Sequence, residues 1–393
     1  MKNKVKIIFP TYPQTNSNNK INIYKYMKLE CLKDRLRQAV LQAERVTGKN
    51  LTLPVLSSVL LEAKNSKLTI KATNLEVGLE ISIPAKIEEE GSVTINALIL
   101  GNFLTNNNEE KLKIDLINNN INIATNSTKT TIKSLGTEDF PLIPIVDEQE
   151  GEKARIEVKE LISGLKSVVF AAATSDIKPE ISSVYIYSQD GAIFFVATDS
   201  FRLAEKKIIA KSSNDFPRLI IPLKNVLEII RVLEGVEDKE VDILADKHQL
   251  SLITASVRLT SRVIDGIYPD YRQIMPVDFK TEATLRKDEL LNSLKISSIF
   301  SDRFNQIEFT IKPKEEELMI NSQNQDIGEN TIVIKGKITG NEIGLNLNAK
   351  YLLDCLPIIE NNIVELKINE KNRPLLVRGS ENDFQYIVMP INR

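Results

Sequence analysis

With 393 residues, 42% of them hydrophobic and 26% charged, the chain holds enough apolar material for two or three globular cores. No apolar run reaches the roughly 18 residues a membrane span requires. Two cysteines, Cys31 and Cys355, exclude a disulfide framework or a Cys-rich metal site and point to a reducing cytoplasm. The formal net charge of −2 lacks the basic excess of most nucleic-acid binders, but it fixes only an average and permits a basic inner surface under an acidic exterior.

Residues 1–26 are rich in Asn, Lys, Thr and Tyr, and their one apolar run, Val5 to Phe9, is broken by Lys6 and ended by Pro10. It is too short for a signal-peptide core, so the segment is expected to be a disordered extension or an artefact of an upstream start codon. Met27-Lys28-Leu29-Glu30 then opens a strand, and Leu32, Leu36, Val40 and Ala43 mark one face of a first helix. The alternation of Leu68-Ile70 and Val77-Leu79-Ile81-Ile83 predicts strands. Ile95-Asn96-Ala97 introduces a second helix with Leu98, Leu100, Phe103 and Leu104 on its apolar side, followed by strands around the Asn118–Asn120 turn. Asp139-Phe140-Pro141 closes this stretch.

The same order then returns twice. Leu161, Leu165, Val168 and Ala172 form a helical stripe, Val184-Ile186 and Phe194-Val196 alternate, and Ile221-Pro222-Leu223 leads into a helix faced by Leu223, Val226, Leu227, Ile230 and Leu233. Val241-Ile243 and Leu250-Leu252 flank a polar turn with the single histidine, His248, and Tyr268-Pro269-Asp270-Tyr271 closes the copy. In the third copy Leu290, Leu294, Ser297 and Ile299 open, Ile307-Phe309-Ile311 and Leu318-Ile320 alternate, and Leu347-Asn348-Ala349 precedes Tyr351, Leu352, Cys355, Ile358 and Ile359. Val364-Leu366-Ile368 and Leu375-Val377 follow.

The helix-opening signatures recur every 126 residues, at Asn96, Pro222 and Asn348. Asn caps a helix by accepting an unpaired backbone N–H, and Pro suits a first turn where no N–H is needed. Five elements in register three times make an internal repeat. Each unit is α+β, two helices over antiparallel strands, with domains at 27–150, 151–277 and 278–393.

Enzymatic signatures are missing. Gly48-Lys49-Asn50 lacks the upstream glycine and the Ser or Thr of a phosphate-binding loop, and one histidine cannot make H-E-x-x-H. His248 reads as a solvated turn residue, Glu88–Glu90 and Glu315–Glu317 as solvated loops, and the sequons at Asn50 and Asn126 carry no meaning in a cytoplasmic protein. No catalytic residue, metal or cofactor is expected. A metal-dependent nuclease or hydrolase on a duplicated scaffold is the rival from another class. A scaffold that binds proteins without encircling DNA is the second.

Four strings carry a family resemblance. Ala197-Thr198-Asp199-Ser200-Phe201-Arg202-Leu203-Ala204 resembles the A-T-D-(G/S)-x-R-L-A signature of the bacterial DNA polymerase III β subunit, the sliding-clamp family. Asp265 to Arg272 resembles its D-G-x-(F/Y)-P-D-Y-R, Tyr386 to Ile391 its terminal Y-(V/I)-V-M-P-(M/I), and Leu53-Pro54-Val55-Leu56 its L-P-(V/I)-L.

The resemblance spans residues 27–393. It implies three tandem clamp domains, helices lining a ring and antiparallel sheets outside, with two chains joined head to tail. It implies sequence-independent binding of double-stranded DNA, with the DNA polymerase III alpha subunit, a clamp loader and other proteins bearing a clamp-binding motif as partners, and no membrane. Matching positions give a peptide pocket of Ile181, Thr198, Ser200, Phe201, Arg202, Leu203, Pro269, Ile274, Ile387, Met389, Pro390 and Ile391, with Asn348 and Tyr351 at its edge. They also place Lys49, Lys224 and Arg272 near DNA, beside first-helix cations such as Lys33, Arg35, Arg37 and Arg45. Ile299 and Phe300 match the dimer interface, against a plain reading as core. Lys178-Pro179-Glu180, Gln273 and the terminal Asn392-Arg393 depart from the family pattern.

Overall fold

The computed structural model describes residues 26–48, 53–125, 128–147, 149, 151–209 and 216–391. The expected extension (Tyr26 apart), Lys49, both sequon asparagines and Asn392-Arg393 lie outside them. Among the described residues six α-helices occur, two in each repeat: α1 Lys33–Val46, α2 Ala97–Asn106, α3 Val158–Val168, α4 Leu223–Leu233, α5 Lys287–Ile299 and α6 Ala349–Cys355. The helices pack as pairs, α1 on α2, α3 on α4 and α5 on α6, each backed by strands of its own module.

The predicted caps form. Asn96 Oδ1 accepts from Ile99 N at 3.1 Å and Asn348 Oδ1 from Lys350 N at 2.9 Å. Pro222 itself occupies the cap position of α4 rather than its first turn, without a side-chain hydrogen bond. The faces differ in phase from the pattern. The α2 core face is Ala97, Leu100, Gly101 and Leu104, while Leu98 points outward. In α4, Asn225, Ile229 and Val232 are buried and Leu227 is exposed. The third-copy helix stops at Cys355 and tightens into a 3-10 turn, Leu356–Ile358, because Pro357 has no N–H to continue the ladder.

Strands are paired antiparallel throughout, in sheets of thirteen, nine and four. Two pairings cross module boundaries. Val77–Pro84 of module 1 lies against Val257–Arg262 of module 2, and Arg202–Ile208 of module 2 against Phe384–Val388 of module 3. Gln42 Nε2 of α1 also donates to Val232 O of α4 at 2.8 Å.

Alternation along these strands separates two cores. In module 2, Phe195, Ala197 and Ala204 face α3, which approaches so closely that a Cβ on Gly164 would stand 2.4 Å from the Phe195 ring. Tyr187, Val196, Leu203 and Ile387 face the opposite way, and the connector between modules 2 and 3 lies over them through Tyr268, Tyr271 and Met275.

A polar relay fastens that connector. Arg272 Nη2 donates to Tyr187 Oη at 2.8 Å, the Tyr187 and Tyr271 hydroxyls meet at 2.6 Å, and Tyr271 donates to Glu205. Tyr185 stacks between Tyr187 and Tyr268, with ring centroids 4.9 and 4.8 Å apart.

Two measurements check this packing. Burial pushes the Cys31 thiol up to about 12 and that of Cys355 well above its ordinary value, so the reactive thiolate is scarce. Neither should react with a maleimide at pH 7.5 until the protein is unfolded; fast labelling of the native chain contradicts the burial. Burial also raises the Glu205 carboxyl, outweighing the Tyr271 hydroxyl that lowers it. A carboxyl raised on folding contributes stability that is fully present below its unfolded value and lost as pH climbs through the folded one. Glu205→Gln should therefore gain in melting temperature relative to wild type as pH rises above 4.5; a constant difference across pH would remove Glu205 as the titrating group.

Candidate peptide cavity and end surfaces

The turn from Thr198 to Arg202 is held by its own side chains. Thr198 Oγ1 donates to Arg202 O at 2.7 Å and accepts from Ser200 N at 3.2 Å. Asp199 Oδ1 accepts from Phe201 N and Arg202 N at 2.9 and 3.0 Å, an Asx-type arrangement. Ser200 takes φ 77°, the left-handed region that a short polar residue tolerates better than a branched one. The result projects Phe201 outward, 63% exposed, while Met389 N donates to Phe201 O at 2.8 Å.

Arg202 is the electrostatic centre. Its Nε donates to Asp199 Oδ2 at 2.9 Å and its Nη1 to Asp354 Oδ2 of α6 at 2.7 Å. The guanidinium lies 4.4 Å from the Tyr351 ring centroid and 5.7 Å from that of Phe170. Burial works to lower its pKa, yet the two carboxylates hold it above the ordinary arginine value. The cation is therefore fixed and compensated, leaving the neighbouring surface for apolar contacts.

Beside this turn opens a cavity of about 520 Å³. Thr198, Ser200, Phe201, Arg202, Leu203, Ile274, Ile387 and Met389 line it together. The remaining pocket positions do not. Pro269 lines a separate groove of about 950 Å³ with the earlier part of the connector, Val263 to Arg272. Ile181 is half-buried, its carbonyl accepting from Ala173 N at 3.0 Å. Asn348 is spent on capping α6, Tyr351 stands behind Arg202, and Ile391 N is bonded to Asn346 O at 2.7 Å. Pro390 adjoins Met389 but is not part of the wall.

Sequence reasoning missed the rest of the lining: Gln273 and Met275–Asp278 of the connector, and Asn369, Asn372, Arg373 and Pro374 from the turn after strand Ile363–Ile368. The break in alternation at Asn369–Pro374 marked that turn without revealing what it faced.

Of the DNA candidates, Lys224 is exposed on α4 and paired with Asp176 at 2.9 Å. Arg272 belongs to the connector between modules 2 and 3 and is exposed there, with its Nη2 donating to Tyr187 Oη at 2.8 Å. Further exposed helix cations are Arg35, Arg45, Lys159, Lys295 and Lys350, with Lys166 paired to Glu234 and Arg231 to Glu228.

Ile299 is 60% exposed, which removes it from the core, and Phe300 is half-buried beside it. At the other end of the chain Leu98 and Ile99 on α2 are 56% and 53% exposed, a surface the sequence did not single out. Among the described residues no cluster of His, Cys, Asp and Glu could hold a metal ion, and no helix is long and apolar enough to cross a membrane.

Comparison with known proteins agrees module by module. Residues 27–144 match the N-terminal domain of the DNA polymerase III beta subunit, 155–270 its central domain and 272–392 its C-terminal domain. A beta sliding clamp of Synechocystis sp. is 28% identical over 390 residues, covering 93% of this chain and 99% of that protein. The beta sliding clamp of Bacillus subtilis is 24% identical over 383 residues, covering 93% and 99%. Among solved structures, the DNA polymerase sliding clamp of Bacillus subtilis superposes with a TM-score of 0.88 at 24% identity, covering 94% of this chain and all of that one. That of Pseudomonas aeruginosa gives 0.86 at 25% identity, covering 93% and 100%. With every module matched in order, the chain belongs to the DNA polymerase III beta subunit family, the non-catalytic beta sliding clamps.

Proposed function

We propose that two copies of this chain close head to tail into a ring that encircles duplex DNA, tethers the replicative polymerase and receives its partners in the cavity beside Phe201. The observation that carries the ring is a pair of unsatisfied sheet edges. Strand Lys129–Leu135 is paired along one side with Asn120–Ala124 but on the other only through Ser134 and Leu135. Strand Gly328–Lys335 is paired only with Glu317–Asn324. Long bare edges invite another strand, and these two belong to modules 1 and 3. Leu98 and Ile99 are exposed on α2, which follows the strand that Ser134 and Leu135 pair with, and Ile296 and Ile299 are exposed on α5, which packs against the second strand. In such a joint Lys129 and Lys133 on one edge would be opposite in charge to Glu329 on the other, while Lys335 of that strand is already paired with Glu317. A head-to-tail contact of this kind forms a ring when its rotation closes.

Six pairs of helices would then face the opening, carrying exposed cations directed at phosphates. Phosphate contacts carry no sequence information, as a sliding protein requires, and they make direct affinity modest and salt-dependent. Such a role places the chain in the cytoplasm with the DNA polymerase III alpha subunit, a clamp loader and other proteins carrying a short apolar clamp-binding peptide. Leu203 and Ile387 offer such a peptide a floor, and Phe201 and Met389 adaptable walls.

The deciding experiment uses a clamp loader, ATP and primed circular DNA. The chain should be retained on the circle and lost when the circle is cut, and Ile299→Asp should halve the solution mass and abolish retention. Equal retention on linear and circular DNA defeats the ring. For the cavity, Met389→Ala should weaken a peptide bearing Leu and Phe anchors roughly tenfold, the scale of a truncated hot-spot side chain, with the solution mass unchanged. Unaltered affinity takes Met389 out of the site.

A further inference from the structure

The junction of modules 1 and 2 is built on the plan of the cavity at the junction of modules 2 and 3. Thr73-Asn74-Leu75-Glu76-Val77 repeats the Thr198–Arg202 turn bond for bond. Thr73 Oγ1 donates to Val77 O at 2.9 Å and accepts from Leu75 N at 3.0 Å. Asn74 Oδ1 accepts from Glu76 N and Val77 N at 3.0 and 2.8 Å. Leu75 takes φ 76° where Ser200 takes 77°. The strand register agrees too: Gly78 pairs with Thr260 as Leu203 pairs with Ile387. Arg262 N donates to Glu76 O at 3.0 Å, the counterpart of Met389 N to Phe201 O at 2.8 Å.

The side chains on this shared backbone are of opposite kind. Where the cavity has a Leu203 floor, the first junction has Gly78. Where it has Phe201 and Met389 as walls, the first junction has Glu76 and Arg262, whose Oε1 and Nη1 stand 3.4 Å apart. Over the bare Gly78 lies Ile143, from the segment that links modules 1 and 2 as residues 264–278 link modules 2 and 3. A Cβ on Gly78 would sit 2.5 Å from Ile143 Cγ2, so the glycine is what lets the isoleucine descend. At the second junction the Leu203 side chain occupies that depth and the connector is fastened by Tyr271 instead, leaving the open volume.

We infer that the junction of modules 1 and 2 is a second copy of the peptide cavity, occupied in cis by Ile143, so that each chain offers one cavity to an outside peptide. This rests on reading the Phe201 cavity as a peptide site. Ile143 on Gly78 stands where a partner's apolar anchor would lie over Leu203, and the Glu76–Arg262 pair replaces the apolar walls that would receive the rest.

The test is stoichiometry. A labelled decapeptide whose only apolar residues are neighbouring Leu and Phe should bind wild type at one per chain. The triple variant Glu76→Phe, Arg262→Met, Ile143→Ala should bind two, and adding Met389→Ala to it should weaken only one of them. Two peptides on wild type overturn the inference, as does one on the folded triple variant. No binding to either protein overturns the peptide reading of the Phe201 cavity itself, and the inference with it. Should the triple variant not fold, a milder cycle decides. Gly78→Ala and Ile143→Ala should each lower the unfolding midpoint, and together cost less than the sum of both, since the second removes the clash made by the first; additive losses overturn the Ile143–Gly78 contact.

Discussion

Backbone hydrogen bonding between modules governs much of the rest. Each module ends in a strand edge that would otherwise expose a row of N–H and C=O groups, and an unpaired buried group is costly. Pairing Val77–Pro84 with Val257–Arg262, and Arg202–Ile208 with Phe384–Val388, satisfies both internal edges. The three units are thereby joined by backbone pairing and not only by their connecting segments. The same pairing sets where function can reside. It consumes the edges at the two internal junctions, leaves others bare, among them parts of Lys129–Leu135 in module 1 and Gly328–Lys335 in module 3, and brings the Thr198–Arg202 turn against the C-terminal strand, where the cavity opens.

Much of this was legible in the residues. Asn96 and Asn348 cap helices because their short side chains suit that geometry, and the 126-residue period follows from repeating the same supersecondary unit. Helix phase was harder. In α2, Leu98, Ile99 and Leu100 are all apolar, so periodicity cannot choose among them; the small Ala97 and Gly101 that decide the buried face carry little hydrophobic signal.

The cavity was half legible. Residues on strands and the tight turn could be assigned because each string is rigid and local. The connector walls could not, since residues 273–278 have no period and their position depends on the distant Tyr187 and Glu205. Arg272 meets the same difficulty: a cation beside a recognisable string does not by itself say which side of a sheet it will occupy. Position across a sheet is a tertiary property, and only the packing of Tyr268 and Tyr271 onto the outer core fixes it.

The hydroxyl relay from Arg272 through Tyr187 and Tyr271 to Glu205 bears on kinetics as well as packing. It braces one wall from behind, so a visiting segment meets a shape already set and forfeits little ordering entropy of the host. In such preformed sites, visitors that differ by one anchor arrive at similar speeds and differ in how long they stay. On the proposed peptide reading of the cavity, competition among its users would be settled by residence time, and exchange of one for another by the slow step of leaving.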